Sequence, residues 1–204
     1  WTSRGWGVVD VNYGGSTGFG RDYRERLNGG WGVVDVDDCA AAAQALIEAG
    51  RADPGKIAIE GGSAGGFTTL AALCFTEVFQ AGACRYAVCD LTAMAEDTHR
   101  FEARYVDGLV GEWPKDRPLY EQRSPLLHAD QIRCPVLFFQ GLQDKVVPPE
   151  QTERMAEALR SNGIPVEVRL FDDEGHGFRN QATQIEVLEA TEAFFRRQLE
   201  LPAA

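Results

Sequence analysis

The stretch that most constrains this chain is a short apolar run that meets a cluster of glycines and then a segment of helical composition. Lys56-Ile57-Ala58-Ile59-Glu60 reads as a strand, runs directly into Gly61-Gly62-Ser63-Ala64-Gly65-Gly66, and an Ala/Thr/Leu-rich helix follows to about residue 75. A strand, sharp turn and helix in that order lift one serine hydroxyl onto an exposed corner. This works only if small residues let strand and helix approach closely, and Gly61 and Gly65 supply them. The helix N-terminus beneath Ser63 adds positive potential where an oxyanion would form. The five-residue Gly-x-Ser-x-Gly pattern is weak alone and would also suit a glycine-rich turn with a solvated serine, so the rest of the chain must decide.

The same unit of strand and helix recurs. Residues 7–11, 83–89, 135–141 and 165–171 are further apolar runs of strand length, and the first reads as a strand buried on both faces. Between them lie helical patterns. One has Asp35 as N-cap, apolar Val36, Ala40, Ala43 and Ile47, and Gly50 as stop; the others cover residues 150–161 and about 183–199. Strands alternating with helices predict an α/β fold with a mostly parallel sheet and helices on both faces. A length of 204 residues suits one domain of that kind.

A serine needs a base, and three histidines are available. His128 falls in a short helical turn and His99 in a charged helix face. His176 follows the last strand within Asp173-Glu174-Gly175-His176-Gly177-Phe178, where flanking glycines free the loop to place the ring over Ser63. The third partner should be a carboxylate beyond the preceding strand that fixes the histidine tautomer, and Asp144 stands there. Asp172 and Asp173 compete, but they sit too near His176 on one loop to orient it. The chain order Ser63, Asp144, His176 is that of an α/β-hydrolase, and each residue lies just past the C-terminal end of a predicted strand.

Other features point nowhere stronger. The carboxylates beside His176 lack metal-ligand spacing, residues 12–20 lack the ending of a phosphate loop, and Asp35-Val36-Asp37-Asp38 lacks the sixth-position glycine of a calcium loop. No metal or cofactor is expected. A net charge of −11, from 20 basic and 31 acidic residues, argues against nucleic acid or anionic lipid as partner. No run approaches the roughly 18 apolar residues of a membrane span. The five cysteines have no metal-type spacing and read as reduced core residues of a cytoplasmic protein, with no leader-like stretch in the residues from Trp1 onward.

With the triad placed, the chain resembles the C-terminal catalytic domain of the prolyl oligopeptidase family of serine peptidases, in its acylaminoacyl-peptidase and dipeptidyl-peptidase branch. The resemblance is carried by residues 10–20, by Trp31-Gly32-Val33-Val34-Asp35-Val36-Asp37-Asp38, by residues 61–66, by Gln140-Gly141-Leu142-Gln143-Asp144-Lys145-Val146-Val147-Pro148, and by Gly175-His176-Gly177-Phe178. It implies the α/β-hydrolase fold, Ser63 as acylated nucleophile, Asp144 as orienting acid and His176 as general base and acid. It also implies the Ala64 backbone N–H as one oxyanion donor, and Phe101 and Val147 as walls of the specificity pocket.

The resemblance further implies short peptides as substrates, cleaved in the manner of an aminopeptidase or oligopeptidase; a homo-oligomer is compatible with it. The same chemistry would serve a carboxylesterase, and the same fold a non-catalytic binding scaffold. By comparison with the family, residues 1–204 are expected to be a partial catalytic domain. The first strands, the second oxyanion donor and an N-terminal β-propeller would then lie upstream, and the fragment alone would be poorly stable or inactive.

Overall fold

Four of the five expected strands form, and they build one sheet. In the computed structural model, which describes residues 1–97 and 105–202, the strands are β1 (Ala58–Gly62), β2 (Ala81–Arg85), β3 (Val136–Gly141) and β4 (Val166–Phe171). They lie side by side in that order, and every neighbouring pair is parallel. The α-helices among the described residues are α1 (Arg21–Arg24), α2 (Val34–Glu48), α3 (Ala64–Phe75), α4 (Leu91–Asp97), α5 (Tyr105–Leu109), α6 (Arg117–Arg123), α7 (Pro149–Ser161) and α8 (Gln181–Gln198).

Successive side chains of a strand point to opposite faces, and the core divides accordingly. Cys84, Val136 and Phe138 pack into one apolar cluster with Val36 of α2, Leu70, Ala71 and Leu73 of α3, and Met155 and Leu159 of α7. Their alternates Ala81, Ala83, Leu137 and Phe139 pack into another, against Val187, Phe194 and Phe195 of α8. Helices therefore cover both faces, and the central strands β2 and β3 are buried almost throughout, whereas β1 and β4 at the edges are only partly covered. Full burial of a side chain such as Phe138 or Phe139 stabilises the fold by about 1.5–3 kcal/mol. A third cluster, with Trp31, Phe67, Val88, Leu91, Val106 and Tyr120, gathers helices beyond the strand ends.

Residues 7–11 are a correction. They are not a strand, and Val8 and Val9 are 56% and 53% exposed. An apolar run becomes a buried strand only where a neighbour supplies backbone partners. Among the described residues the sheet begins at β1, and none of its strands pairs with this stretch.

Asp35 also differs from expectation. α2 starts two residues earlier, with Val33 as its N-cap. The Asp35 carboxylate is fully buried, accepting the Gly32 N–H at 2.6 Å and the Thr68 hydroxyl of α3. Burial pushes its pKa above the ordinary carboxylate value, against the pull of those two bonds. It thus ties the start of α2 to the helix that follows Ser63, while Asp38 holds the 12–20 loop by accepting the Gly14 N–H at 2.7 Å.

All five cysteines are free. Cys74, Cys84 and Cys89 are buried, and Cys39 and Cys134 half-buried. Desolvation pushes the Cys39 and Cys134 thiols up to about 11 and Cys74 to about 12, so they stay protonated. Among the described residues no helix is long and apolar enough to cross a membrane.

Candidate active site

The turn after β1 is as tight as its glycines suggest. A Cβ on Gly61 would stand 2.2 Å from the Gly65 carbonyl oxygen, so β1 and α3 meet there backbone to backbone, and one on Gly66 would stand 2.6 Å from the Ala87 Cβ, just past β2. Ser63 is forced into φ 55, ψ −119, outside the regions an L-residue prefers. Its amide donates to the Arg85 carbonyl at 2.9 Å, which ties the corner to the end of β2. Strain of this kind persists only where the surroundings over-determine it. Ala64 opens α3, so its N–H belongs to the first-turn amides that have no carbonyl acceptor within the helix.

Asp144 lies three residues beyond β3, and its side chain has no exposed surface. Its Oδ1 accepts the N–H groups of Val146 and Val147, both at 2.9 Å. Its Oδ2 accepts from His176 Nδ1 at 2.9 Å and from Gln140 Nε2 at 3.4 Å. A carboxylate can only accept, so the His176 proton sits on Nδ1 and the free lone pair on Nε2. That nitrogen lies 2.9 Å from Ser63 Oγ and accepts its hydroxyl proton. The structure thus joins Ser63, His176 and Asp144 in one chain of hydrogen bonds at a common edge of the sheet, beyond the C-terminal ends of β1, β3 and β4.

The histidine loop is held by residues that pattern reading passed over. Glu174, only 4% exposed, accepts the N–H groups of Arg179 and Asn180, each at 2.9 Å, across the loop that carries His176. Its own carbonyl accepts the Gln143 N–H at 2.9 Å and lies so near Gly141 that a Cβ there would sit 2.3 Å from it. The Arg179 amide, ahead of a smaller desolvation penalty, draws the Glu174 pKa below its ordinary 4.5. A depressed pKa makes this clasp strongest above that value, with its contribution lost as pH falls through and below it. We expect the Arg179 and Asn180 amides to lose hydrogen-exchange protection in that acid range, ahead of α8. Exchange that stays flat there would show that the carboxylate does not hold the loop.

His128 contacts the Glu121 carbonyl at 3.2 Å and packs on Phe75. His99 and Phe101 fall outside the described residues. Val147 is 3% exposed, its side chain packed in the third cluster with Val88 and Leu91. Asp173 lines a cavity of about 310 Å³ beside His176 without bonding to it, and the Asp172 carbonyl accepts from Gln143. No group of three or more potential metal ligands occurs among the described residues.

Comparison with known proteins gives consistent matches. The family model described as "Prolyl oligopeptidase family" matches residues 1–201. The dipeptidyl aminopeptidase BIII of Pseudoxanthomonas mexicana is 34% identical over 97% of this chain, and an acylamino-acid-releasing enzyme of Arabidopsis thaliana is 33% identical over 91% of it. A crystal structure of puromycin hydrolase superposes on all of the chain with a TM-score of 0.96 at 50% identity. A puromycin-hydrolyzing peptidase of Mycobacterium tuberculosis superposes on 98% of it, also at 0.96, with 55% identity. The chain spans 30% and 25% of the two curated relatives and 31% of each solved chain.

Proposed function

Because this chain belongs to the prolyl oligopeptidase family, we propose that it carries the catalytic machinery of a serine peptidase acting through an acyl-enzyme on Ser63. One observation carries the reading: the unbroken relay from Ser63 Oγ through His176 to Asp144, with both bonds at 2.9 Å. As Ser63 Oγ attacks a carbonyl carbon, His176 Nε2 takes its proton, and the imidazolium is stabilised by Asp144 through Nδ1–H. The oxyanion draws on the Ala64 N–H and the positive end of α3. His176 then delivers the proton to the leaving amine as the carbon–nitrogen bond breaks. Water reverses the steps, losing a proton to His176 and releasing the acid and free Ser63.

The proposed substrates are short peptides and aminoacyl amides. Relatives named for dipeptidyl and acylamino-acid release support the first class. The 50% and 55% identities to puromycin-hydrolysing structures support the second. A fluorophosphonate probe should form one adduct, mapped by mass spectrometry to the peptide containing Ser63. No adduct, or one on another residue, sinks the mechanism. Puromycin, dipeptidyl and N-acetyl-aminoacyl amides assayed beside simple esters then test the substrate class. Turnover of esters alone would make the protein a carboxylesterase instead.

A further inference from the structure

Tyr86 follows β2 directly and holds φ 39, a left-handed conformation that a bulky aromatic residue rarely adopts. Its surroundings fix it there. The Tyr86 amide donates to the Phe139 carbonyl at 2.8 Å, and the preceding Arg85 carbonyl receives the Ser63 N–H. The ring is then wedged between the nucleophile turn and the histidine loop. A Cβ on Gly62 would lie 3.1 Å from its Cε2 and 3.3 Å from its hydroxyl oxygen. On the other side the His176 ring lies 4.8 Å away, centroid to centroid, with the planes inclined by 58°. Phe178 meets the Tyr86 ring edge-on at 5.0 Å and meets Phe171 of β4 at 5.1 Å. A strained backbone that over-determined contacts keep in place marks a residue whose direction matters.

We propose that Tyr86 is a positioning residue: its ring holds the His176 imidazole over Ser63 and favours the imidazolium that forms when Ser63 gives up its proton. This rests on the reading of Ser63 as nucleophile and His176 as base. A cation within about 6 Å of an aromatic centroid is attracted by the ring quadrupole, and the His176 ring lies inside that reach. Among the described residues, the charged groups placed beside the imidazole are Asp144 on Nδ1 and Asp173, Glu174 and Arg179 on its own loop, while Arg85, next to Tyr86 in the chain, pairs with Glu60 of β1. All of these persist when the Tyr86 ring is replaced, so an effect on the histidine is separable from a change in local charge.

The test compares Tyr86→Phe, which keeps the ring, with Tyr86→Asn, which loses it while tolerating a positive φ. The rate of fluorophosphonate addition to Ser63, and kcat and KM for an amide substrate, are followed from about pH 5 to about pH 9. The Phe variant should match the wild type within about twofold. The Asn variant should react about tenfold more slowly at unchanged KM, with the acid limb of the profile moved to lower pH. The direction follows from the loss of a contact that favours the protonated ring. If Tyr86→Asn does not fold, Tyr86→Gly, for which this φ carries no strain, takes its place. Wild-type rate and acid limb in the ring-less variant would overturn the proposal and leave Ser63 and His176 in their roles. An equal loss in Tyr86→Phe, or a slower rate with the limb unmoved, would overturn it as well. A wild-type protein that takes no label at Ser63 would overturn both readings together.

Discussion

Ser63→Ala is expected to lower kcat by roughly 10⁶-fold and to abolish covalent labelling, with its melting temperature close to that of the wild type. The Ser63 hydroxyl makes one hydrogen bond, to His176 Nε2, at a site that is half open to solvent. Removing one such bond changes stability by about 1 kcal/mol, so a large loss of rate cannot be charged to unfolding. The unusual backbone at φ 55 is imposed by the Gly61–Gly65 contact and the Arg85 carbonyl, both of which survive the substitution. What disappears is the atom that would accept the acyl group. His176→Ala should cost nearly as much, and the double variant should be no worse than either single one, because nucleophile and base act as a unit. Independent, multiplying losses, or a Ser63→Ala activity within tenfold of wild type, would mean that this serine is not the nucleophile.

The residues of the relay could be read from sequence because each follows a strong local signal. Four strands were visible as apolar runs of the right length, and the shortness of the turns after them put Ser63, Asp144 and His176 at one edge. Gly61 marked close backbone approach, and its 2.2 Å clearance from the Gly65 carbonyl oxygen is the physical content of that mark. Gly65 needs no such room, since a Cβ there would meet nothing within 4 Å, whereas Gly66, which no pattern singled out, has a clearance of 2.6 Å.

Residues whose importance lies in distant contacts were not legible. Glu174 stands in a run of three acidic residues, and nothing local separates it from Asp172 and Asp173; only the folded loop turns its carboxylate onto the amides of Arg179 and Asn180. Tyr86 looks like one more aromatic inside the expected 83–89 strand, and its contact to His176 spans 90 positions that no periodicity connects. Residues 7–11 show the opposite error. Their composition suits a buried strand, yet burial depends on a pairing partner, and a run of apolar residues carries no record of whether one lies beside it. Asp35 was misplaced for a related reason. An acidic residue near a helix start usually caps it from water, whereas here Thr68 of α3 and the Gly32 amide draw it inside.

Asp144→Asn should lower kcat by roughly 10⁴-fold with little change in KM, although the replacement is nearly isosteric. The reason lies in the four donors that converge on the carboxylate. Oδ1 accepts from Val146 and Val147, and Oδ2 accepts from His176 and Gln140. An asparagine has one oxygen and one amide nitrogen for these sites. Placing the nitrogen at the Oδ1 position would set it against two backbone N–H groups that cannot turn away. The nitrogen therefore takes the Oδ2 position and points its hydrogens at His176 Nδ1. To accept, the ring must shift its own proton to Nε2, the atom that faces Ser63 Oγ at 2.9 Å. In that tautomer the histidine offers Ser63 a proton instead of receiving one, and the acyl transfer loses its base. Gln140 Nε2 also faces the new amide nitrogen, but it keeps the Gly141 and Val147 carbonyls at 3.1 and 3.2 Å as acceptors, so the local fold has little reason to open. The variant should melt near the wild-type temperature, and its imidazole proton should move from Nδ1 to Nε2 in the nitrogen-15 NMR spectrum. Full activity in Asp144→Asn, or a loss of activity without the tautomer change, would show that Asp144 does not orient the base.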